Sequence, residues 1–144
     1  MNICDKLRQG VVTSSAGQTR RLAADLARAL PPVATLALHG DLGVGKTTFV
    51  QGLARGFGVS ERVTSPTFSI YSVHRGGTRS LVHLDAYRLE NDHQVESLLL
   101  EDFLVSPYCL AIEWPEKISG WIPVDAWHLT LAIATGSTHR ITLR

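Results

Sequence analysis

The sequence predicts an α/β domain whose central sheet is mixed but mainly parallel. Three patterns support this prediction: short apolar runs alternate with amphipathic helical stretches, a glycine-rich turn joins one such run to a helix, and the chain closes with an alternating hairpin pattern. Hydrophobic residues make up 44% of the chain, which argues against disorder. No apolar run approaches the roughly 18 residues of a membrane span, so we expect no membrane segment. The length suits one domain over residues 1–144.

The first part of the chain is predicted to form a helix, a strand and a second helix. Ser15 and Gln18 have the spacing of a capping box, and an apolar stripe at steps of three and four continues through 15–30. Two prolines end this helix. The apolar run Val33–His39 has the length of a buried strand. Lys46–Phe57 again carries one apolar face, and a glycine follows it at the position of a helix stop.

The second part of the chain predicts further strands around one helix. Strands are indicated by β-branched and apolar runs, and turns by clusters of glycine and polar residues. In order, we expect a polar loop at 60–67, a strand at 68–74, a turn at 75–78, a returning strand at 79–84, a helix capped by Asn91 or Asp92 and reaching Phe103, a strand at Tyr108–Glu113, and a C-terminal hairpin that turns at 135–138.

The glycine-rich turn at 40–47 fits the pattern G-x-x-x-x-G-K-[ST] at every position. Glycines let the backbone fold tightly and direct several N–H groups at one anion, while the following helix adds its positive dipole end. The Lys46 ammonium can then reach the β- and γ-phosphates, and the Thr47 hydroxyl can join the shell of a Mg²⁺ ion. The motif therefore predicts a nucleotide-phosphate site formed by Asp41, Leu42, Gly43, Val44, Gly45, Lys46, Thr47 and Thr48.

Two acidic residues close apolar strands downstream of this loop. Asp85 ends the run at 81–85, which His83 interrupts, and Glu113 ends the run at 110–113. Ligand sites in such sheets lie at the carboxyl ends of the strands, so either acid could hold Mg²⁺ or a reacting water. Each could also be an ordinary strand-end acid or a cap. The sequence favours the functional interpretation for both.

Composition and absent motifs exclude several other classes of protein. No N-K-x-D motif occurs and no D-x-x-G follows the loop, which argues against a GTPase. A formal charge of +1 offers no broad basic surface for nucleic acid. Cys4 and Cys109 form no disulfide framework, and Cys109 is expected to be a buried thiol. The N-terminal residues lack the apolar core of a secretory signal. Because two cysteines make no disulfide framework, a reducing cytoplasm is the expected location.

Four motifs in order resemble those of the bacterial TsaE family, formerly YjeE, the ATPase of tRNA threonylcarbamoyladenosine biosynthesis. They are the glycine-rich loop at 40–48, Ser-Pro-Thr-Phe at 65–68, His-Leu-Asp-Ala-Tyr-Arg at 83–88 and Ile-Glu-Trp-Pro at 112–115. The resemblance implies one P-loop domain that binds ATP with Mg²⁺ and hydrolyses it weakly. It also implies action on TsaB-like and TsaD-like proteins, with tRNA contacted indirectly through them. Alone, the protein would be a monomer or would associate weakly with itself.

The resemblance also implies roles for individual residues. Lys46 corresponds to the phosphate lysine and Thr47 to a Mg²⁺ ligand. Glu113 resembles the second acid of the Mg²⁺ site, and Asp85 the acid that organises the metal or the attacking water. All of these expectations concern the phosphate end of the nucleotide.

Other positions are implied less directly. Thr67 would belong to a mobile loop that senses the γ-phosphate, unless that stretch is a plain entry to a strand. Trp114 would lie near the nucleotide or pack beneath it. The adenine would lie between the start of the first predicted helix, near Ser14, and the final hairpin turn, near Ser137.

Other functions remain open on the residues alone. A small-molecule kinase could use the same loop, but it usually has a lid with arginines, and the candidate segment 86–107 holds one arginine, Arg88. A third possibility is a module that binds nucleotide to control an interaction but has no useful turnover. It would differ from an ATPase only in that Asp85 and Glu113 would not be catalytic.

We expect the site to prefer ATP over GTP, because the chain lacks the N-K-x-D acid that reads guanine. Competition binding against a labelled ATP analogue would measure this preference. Equal displacement by GTP and ATP would contradict it.

Overall fold

A computed structural model describes residues 1–66 and 69–144, and within them seven strands form one mixed sheet. The strands are β1 (Val11–Thr13), β2 (Val33–His39), β3 (Tyr71–His74), β4 (Ser80–Asp85), β5 (Tyr108–Glu113), β6 (Trp127–Ile133) and β7 (His139–Leu143). Their order is β1-β7-β6-β2-β5-β4-β3. The central strands β6, β2, β5 and β4 are parallel to one another, whereas β7, β1 and β3 pair antiparallel with their neighbours. The predicted α/β fold with a mixed sheet is confirmed.

Helices cover both faces of this sheet. They are α1 (Ile3–Gln9), α2 (Ala16–Ala29), α3 (Lys46–Phe57) and α4 (Asp92–Glu96), with 3₁₀ turns at Leu100–Phe103 and Pro115–Ile118. One apolar cluster contains residues of α2 and α3 and one face of β2, and the other packs α4 and the 3₁₀ turns on β4 and β5. None of the helices in the described ranges is long and apolar enough to cross a membrane.

The ends of the predicted helices have the expected caps, with one difference. Ser15 Oγ accepts a hydrogen bond from the Gln18 amide at 3.1 Å, as the capping box requires. The return bond is shifted, because Gln18 Oε1 accepts from the backbone N–H of Ser14 at 2.7 Å instead of that of Ser15. Gly58 ends α3 in the left-handed conformation, with φ +81°, and its N–H bonds the carbonyls of the last turn.

The predicted helix from Asn91 to Phe103 is wrong as one element. Asn91 does cap α4, but the helix ends at Glu96, and Leu99 has a positive φ of 55°. Val95 and Leu100 are both buried in the same apolar cluster. Residues five apart lie on different sides of a continuous helix, so the break allows both side chains to face the sheet.

The predicted strand at 68–74 begins only at Tyr71. Ile70 has a φ of 69°, which a strand residue does not adopt. Its N–H donates to Pro66 O at 2.8 Å, and its carbonyl accepts from the Asp85 amide at 2.7 Å. These two hydrogen bonds connect Ile70 to Pro66 and to the end of β4. Phe68 lies outside the described residues.

Sequence patterns did not predict α1 and β1. Asn2 caps α1 by accepting from the Asp5 amide at 2.8 Å, and Leu7 is fully buried. The three residues of β1 are too short to show an alternating pattern, and their pairing with β7 depends on a strand more than a hundred residues away.

The buried thiol of Cys109 is confirmed. Its side chain lies inside β5 with no exposed surface, and burial raises its pKa to about 12. Both cysteines are free, and Cys4 is partly buried.

Helices α2 and α3 pack closely because small residues face each other. Gly52 and Gly56 on α3 lie against Ala23, Ala24 and Ala27 of α2. A Cβ on Gly56 would stand 2.6 Å from the Ala27 Cβ and 2.7 Å from the Ala24 carbonyl oxygen. The two helices can approach this closely only because Gly56 has no side chain.

Gly56→Ala should lower the free energy of unfolding by about 2 kcal/mol, because overpacking against backbone outweighs the gain in helix propensity. Urea unfolding measures the change. Gly17→Ala is the matched control, since a Cβ there would meet only Ser15 Oγ at 3.8 Å and should leave stability unchanged or raise it slightly. Equal stability of the two variants would contradict the packing argument.

Candidate nucleotide-binding site

The loop at 40–45 connects the carboxyl end of β2 to the start of α3. Gly43 and Gly45 adopt positive φ angles of 83° and 96°, and a Cβ at either would meet no atom within 4 Å. Glycine is therefore needed there for backbone conformation and not for space. Gly45 is the N-cap of α3 and no side chain caps this end. The first amides of α3 can thus bind an anion.

A cavity of about 550 Å³ opens beside this loop, at the carboxyl ends of β2, β4 and β5. Two groups of residues line it: Leu42, Gly43, Gly45, Lys46, Thr47 and Thr48 from the loop and α3, and Ser65, Asp85, Tyr87, Arg88, Glu113 and Trp114 from the segments around β4 and β5. The volume and the position suit a nucleotide-sized ligand.

Lys46 is buried at the wall of the cavity, where two groups contact its ammonium. Nζ donates to the Gly40 carbonyl at 2.5 Å and lies 3.6 Å from the centre of the Trp114 ring. Burial lowers the lysine pKa below its ordinary value, while nearby carboxylates, Glu113 first among them, act to raise it. Trp114 lines the cavity and its ring contacts the lysine, but its relation to a bound nucleotide stays a prediction.

Asp85 and Glu113 occupy paired positions on adjacent parallel strands. In each strand the preceding buried side chains alternate between the two faces, so both acids face α3. Thr47 Oγ1 donates to Glu113 Oε2 at 3.3 Å, which joins the start of α3 to the end of β5. Asp85 Oδ1 accepts from the Tyr87 amide at 3.0 Å, so Asp85 also caps the turn after β4.

His83 is a site residue that the sequence analysis missed. Its ring is fully buried, and Nε2 lies 2.5 Å from Glu113 Oε2. A carboxylate only accepts hydrogen bonds, so the ring N–H at Nε2 donates. Nδ1 has no hydrogen-bond partner among the residues that the structure describes. The available signal was its spacing: His83 lies two positions before Asp85, on the same face of β4.

The oxygen atoms at this end of the cavity suit Mg²⁺. Thr47, Asp85 and Glu113 offer a hydroxyl and carboxylates, the ligand types that Mg²⁺ takes. The described residues hold no cluster of three or more His, Cys, Asp or Glu side chains arranged to bind a metal ion.

His39, the last residue of β2, adds no positive charge beneath the loop. Its Nε2 lies 2.8 Å from His128 Nδ1. Burial, followed by the positive charges of Arg144, His128 and Lys46, lowers its pKa to about 4. At neutral pH this imidazole is therefore uncharged.

Two loop residues predicted to contact the nucleotide do not line the cavity. Asp41 is exposed beside it. Val44 is buried in the core, where its side chain packs with the apolar cluster under α2 and α3. Any contact of Val44 with a phosphate would use its backbone alone.

The residues predicted for the adenine end are also outside the cavity. Ser14 is bonded to Gln18 Oε1 through its N–H and its hydroxyl, and Ser137 is exposed in the turn after β6. Because Thr13 pairs with His139, both serines lie at one end of the β1–β7 pair. Their contact with adenine stays a prediction. Thr67 lies outside the described residues.

His83→Ala should lower the free energy of unfolding by about 3 kcal/mol, because it leaves a cavity and removes the buried partner of Glu113. His83→Gln can place an amide N–H near the lost donor and should recover at least half of the loss. Urea unfolding of the two variants checks this. Equal stabilities would show that the hydrogen bond to Glu113 contributes nothing.

Comparison with known proteins identifies relatives of this chain. A profile of the family described as "Threonylcarbamoyl adenosine biosynthesis protein TsaE" matches residues 13–141. The tRNA threonylcarbamoyladenosine biosynthesis proteins TsaE of Bacillus subtilis and Treponema pallidum are 34% and 32% identical to the chain, over 87% and 92% of its length and 78% and 97% of theirs. The TsaE of Synechocystis is 45% identical over 65% of the chain, a match that spans only 61% of the relative's length.

A solved structure has the same fold. The crystal structure of Bacillus subtilis YdiB superposes with a TM-score of 0.78 at 30% identity, over 93% of this chain and 82% of YdiB. The match covers the loop, both strand-end acids and the hairpin as far as Ile141. The chain therefore belongs to the TsaE family.

Proposed function

We propose that this protein binds ATP with Mg²⁺, hydrolyses it slowly, and acts in tRNA threonylcarbamoyladenosine biosynthesis on TsaB-like and TsaD-like proteins. The observation that carries the proposal is the cavity where the P-loop meets Asp85 and Glu113. Membership of the TsaE family supports the pathway. We further propose a cytoplasmic protein that is a monomer or associates weakly with itself when alone.

In this proposal the residues of the cavity divide the work on the triphosphate. The amides at the start of α3 and the Lys46 ammonium bind the β- and γ-phosphates. Thr47 and Glu113 would hold Mg²⁺, which neutralises charge on the phosphates when bound. Asp85 lies beside Glu113 at the same edge and would orient the attacking water. His83 positions the Glu113 carboxylate through its hydrogen bond.

A small-molecule kinase is the second candidate, because Arg88 lines the same cavity. An arginine there could stabilise a phosphoryl group during transfer to an acceptor. The two functions differ in the acceptor of the phosphoryl group. Hydrolysis transfers it to water, whereas a kinase releases ADP only when its small-molecule acceptor is present.

Phosphate release tests the proposal directly. ATP with Mg²⁺ should give slow release from the protein alone and faster release when a TsaB–TsaD pair is added. Lys46→Ala is the control, because it removes the ammonium that meets the phosphates and should abolish or severely weaken ATP binding. No release under either condition, with turnover only in the presence of a small-molecule acceptor, would favour the kinase.

Asp85→Asn and Glu113→Gln should each slow hydrolysis about tenfold or more, a barrier increase of roughly 1.4 kcal/mol. Both changes keep shape but remove charge near the reacting phosphate, where electrostatic placement dominates catalysis. ATP affinity, measured by calorimetric titration, should survive because Lys46 and the backbone amides remain. If either variant hydrolyses ATP at the wild-type rate, the acid that it replaces has only a structural role.

A further inference from the structure

A second, positively charged cleft lies outside the nucleotide cavity, between α2, α3 and the segment that follows α3. Its volume is about 290 Å³. Arg20 lines it from α2, Arg55 from α3, and Arg62 from the following segment, with Glu61 on the same rim. None of these residues lines the nucleotide cavity.

The charges of this cleft are poorly balanced by the protein itself. Arg55 and Arg62 are exposed, and neither side chain forms a hydrogen bond or ion pair with any of the described residues. Glu61, the acid on the rim, is hydrogen-bonded to Nδ1 of His74. In a chain with a formal charge of only +1, the cleft therefore concentrates positive charge.

Gln51 holds the walls of the cleft in place. Its Oε1 accepts from Arg20 Nε at 3.1 Å, and its Nε2 donates to the Val63 carbonyl at 3.0 Å. Val63 is buried in the core, which anchors the segment that carries Arg62. Arg20 is bonded through Nε, and its guanidinium has further N–H donors for a ligand. A cleft already held in shape binds with a smaller entropic cost.

The form of the cleft indicates the class of its ligand. Guanidinium groups pair in a bidentate manner with carboxylates and phosphates. A nucleic-acid surface would need a basic track along several phosphates, whereas this cleft is small and the chain as a whole is nearly neutral. We propose that the cleft of Arg20, Arg55 and Arg62 is a docking site for an acidic segment of a partner protein.

Two segments of the chain connect the cleft to the nucleotide cavity. Gln51 lies one helical turn beyond Thr47 on α3, and the segment that carries Arg62 continues to Ser65, which lines the cavity. An acidic segment docked in the cleft would thus lie beside the loop that borders the phosphate end of the site. The identity of the partner as the TsaB–TsaD pair rests on the proposed function.

Titration with a labelled oligoglutamate peptide at low salt tests the cleft independently of that function. The double variant Arg55→Glu/Arg62→Glu should weaken peptide binding by about tenfold or more. Arg21→Glu/Arg140→Glu changes the net charge equally at residues that do not line the cleft, and it should bind the peptide nearly as well as the wild-type protein. Equal losses in the two variants, or an oligothymidylate that binds the cleft more tightly than the peptide, would overturn the proposal.

The TsaB–TsaD pair then tests the partner. Arg55→Glu/Arg62→Glu should weaken its binding while ATP affinity stays unchanged, because the cleft and the P-loop cavity share no lining residue. Undiminished binding of the pair by this variant would overturn the cleft as the docking site. A wild-type protein that binds the peptide in the cleft but not the pair would contradict the proposed function and leave the acidic-segment site supported.

Discussion

The Glu113 carboxylate connects the parts of this protein that a nucleotide site requires. One of its oxygens accepts hydrogen bonds from Thr47 at the start of α3 and from His83 in β4. A nearly buried carboxylate is tolerated when such donors satisfy it. The contact fixes the P-loop helix relative to the strand ends, so the position of the loop amides depends on the alignment of β2, β4 and β5.

That alignment follows from the parallel registers of the central sheet. Glu113 pairs with Leu38 on one side and with Asp85 on the other, which brings the end of β2 and both acids to one edge. Helices α2 and α3 lie on the same face as the acids, and their glycine–alanine contact keeps α3 close to α2. At this edge, hydroxyl and carboxylate oxygens, the Lys46 ammonium and the Trp114 ring line one partly enclosed cavity. Water screens charge less there than at an open surface.

The arginine cleft shows a different use of charge. At the nucleotide cavity, carboxylates lie close to Lys46 and offset part of its charge, as their effect on its pKa shows. At the cleft, the side chains of Arg55 and Arg62 form no ion pair with any described residue, and Glu61 on the same rim is hydrogen-bonded to His74. Surface arginines contribute little to stability when unpaired, so their clustering on a preorganised wall suits binding better than folding.

Local pattern determined much of this protein. The bounds of β2, α3 and β5, the cap at Ser15 and the stop at Gly58 follow from short-range periodicity and helix-end chemistry, and so does the P-loop. Tertiary structure decided what depends on distant partners. The strand β1 exists through its pairing with β7, the helix after Asn91 breaks so that Val95 and Leu100 can both reach the core, and His83 meets Glu113 only because β4 and β5 are neighbours. Sequence spacing predicts which side of its own helix or strand a residue faces. The residue that it contacts on a neighbouring strand depends on strand register and burial, which the tertiary structure sets.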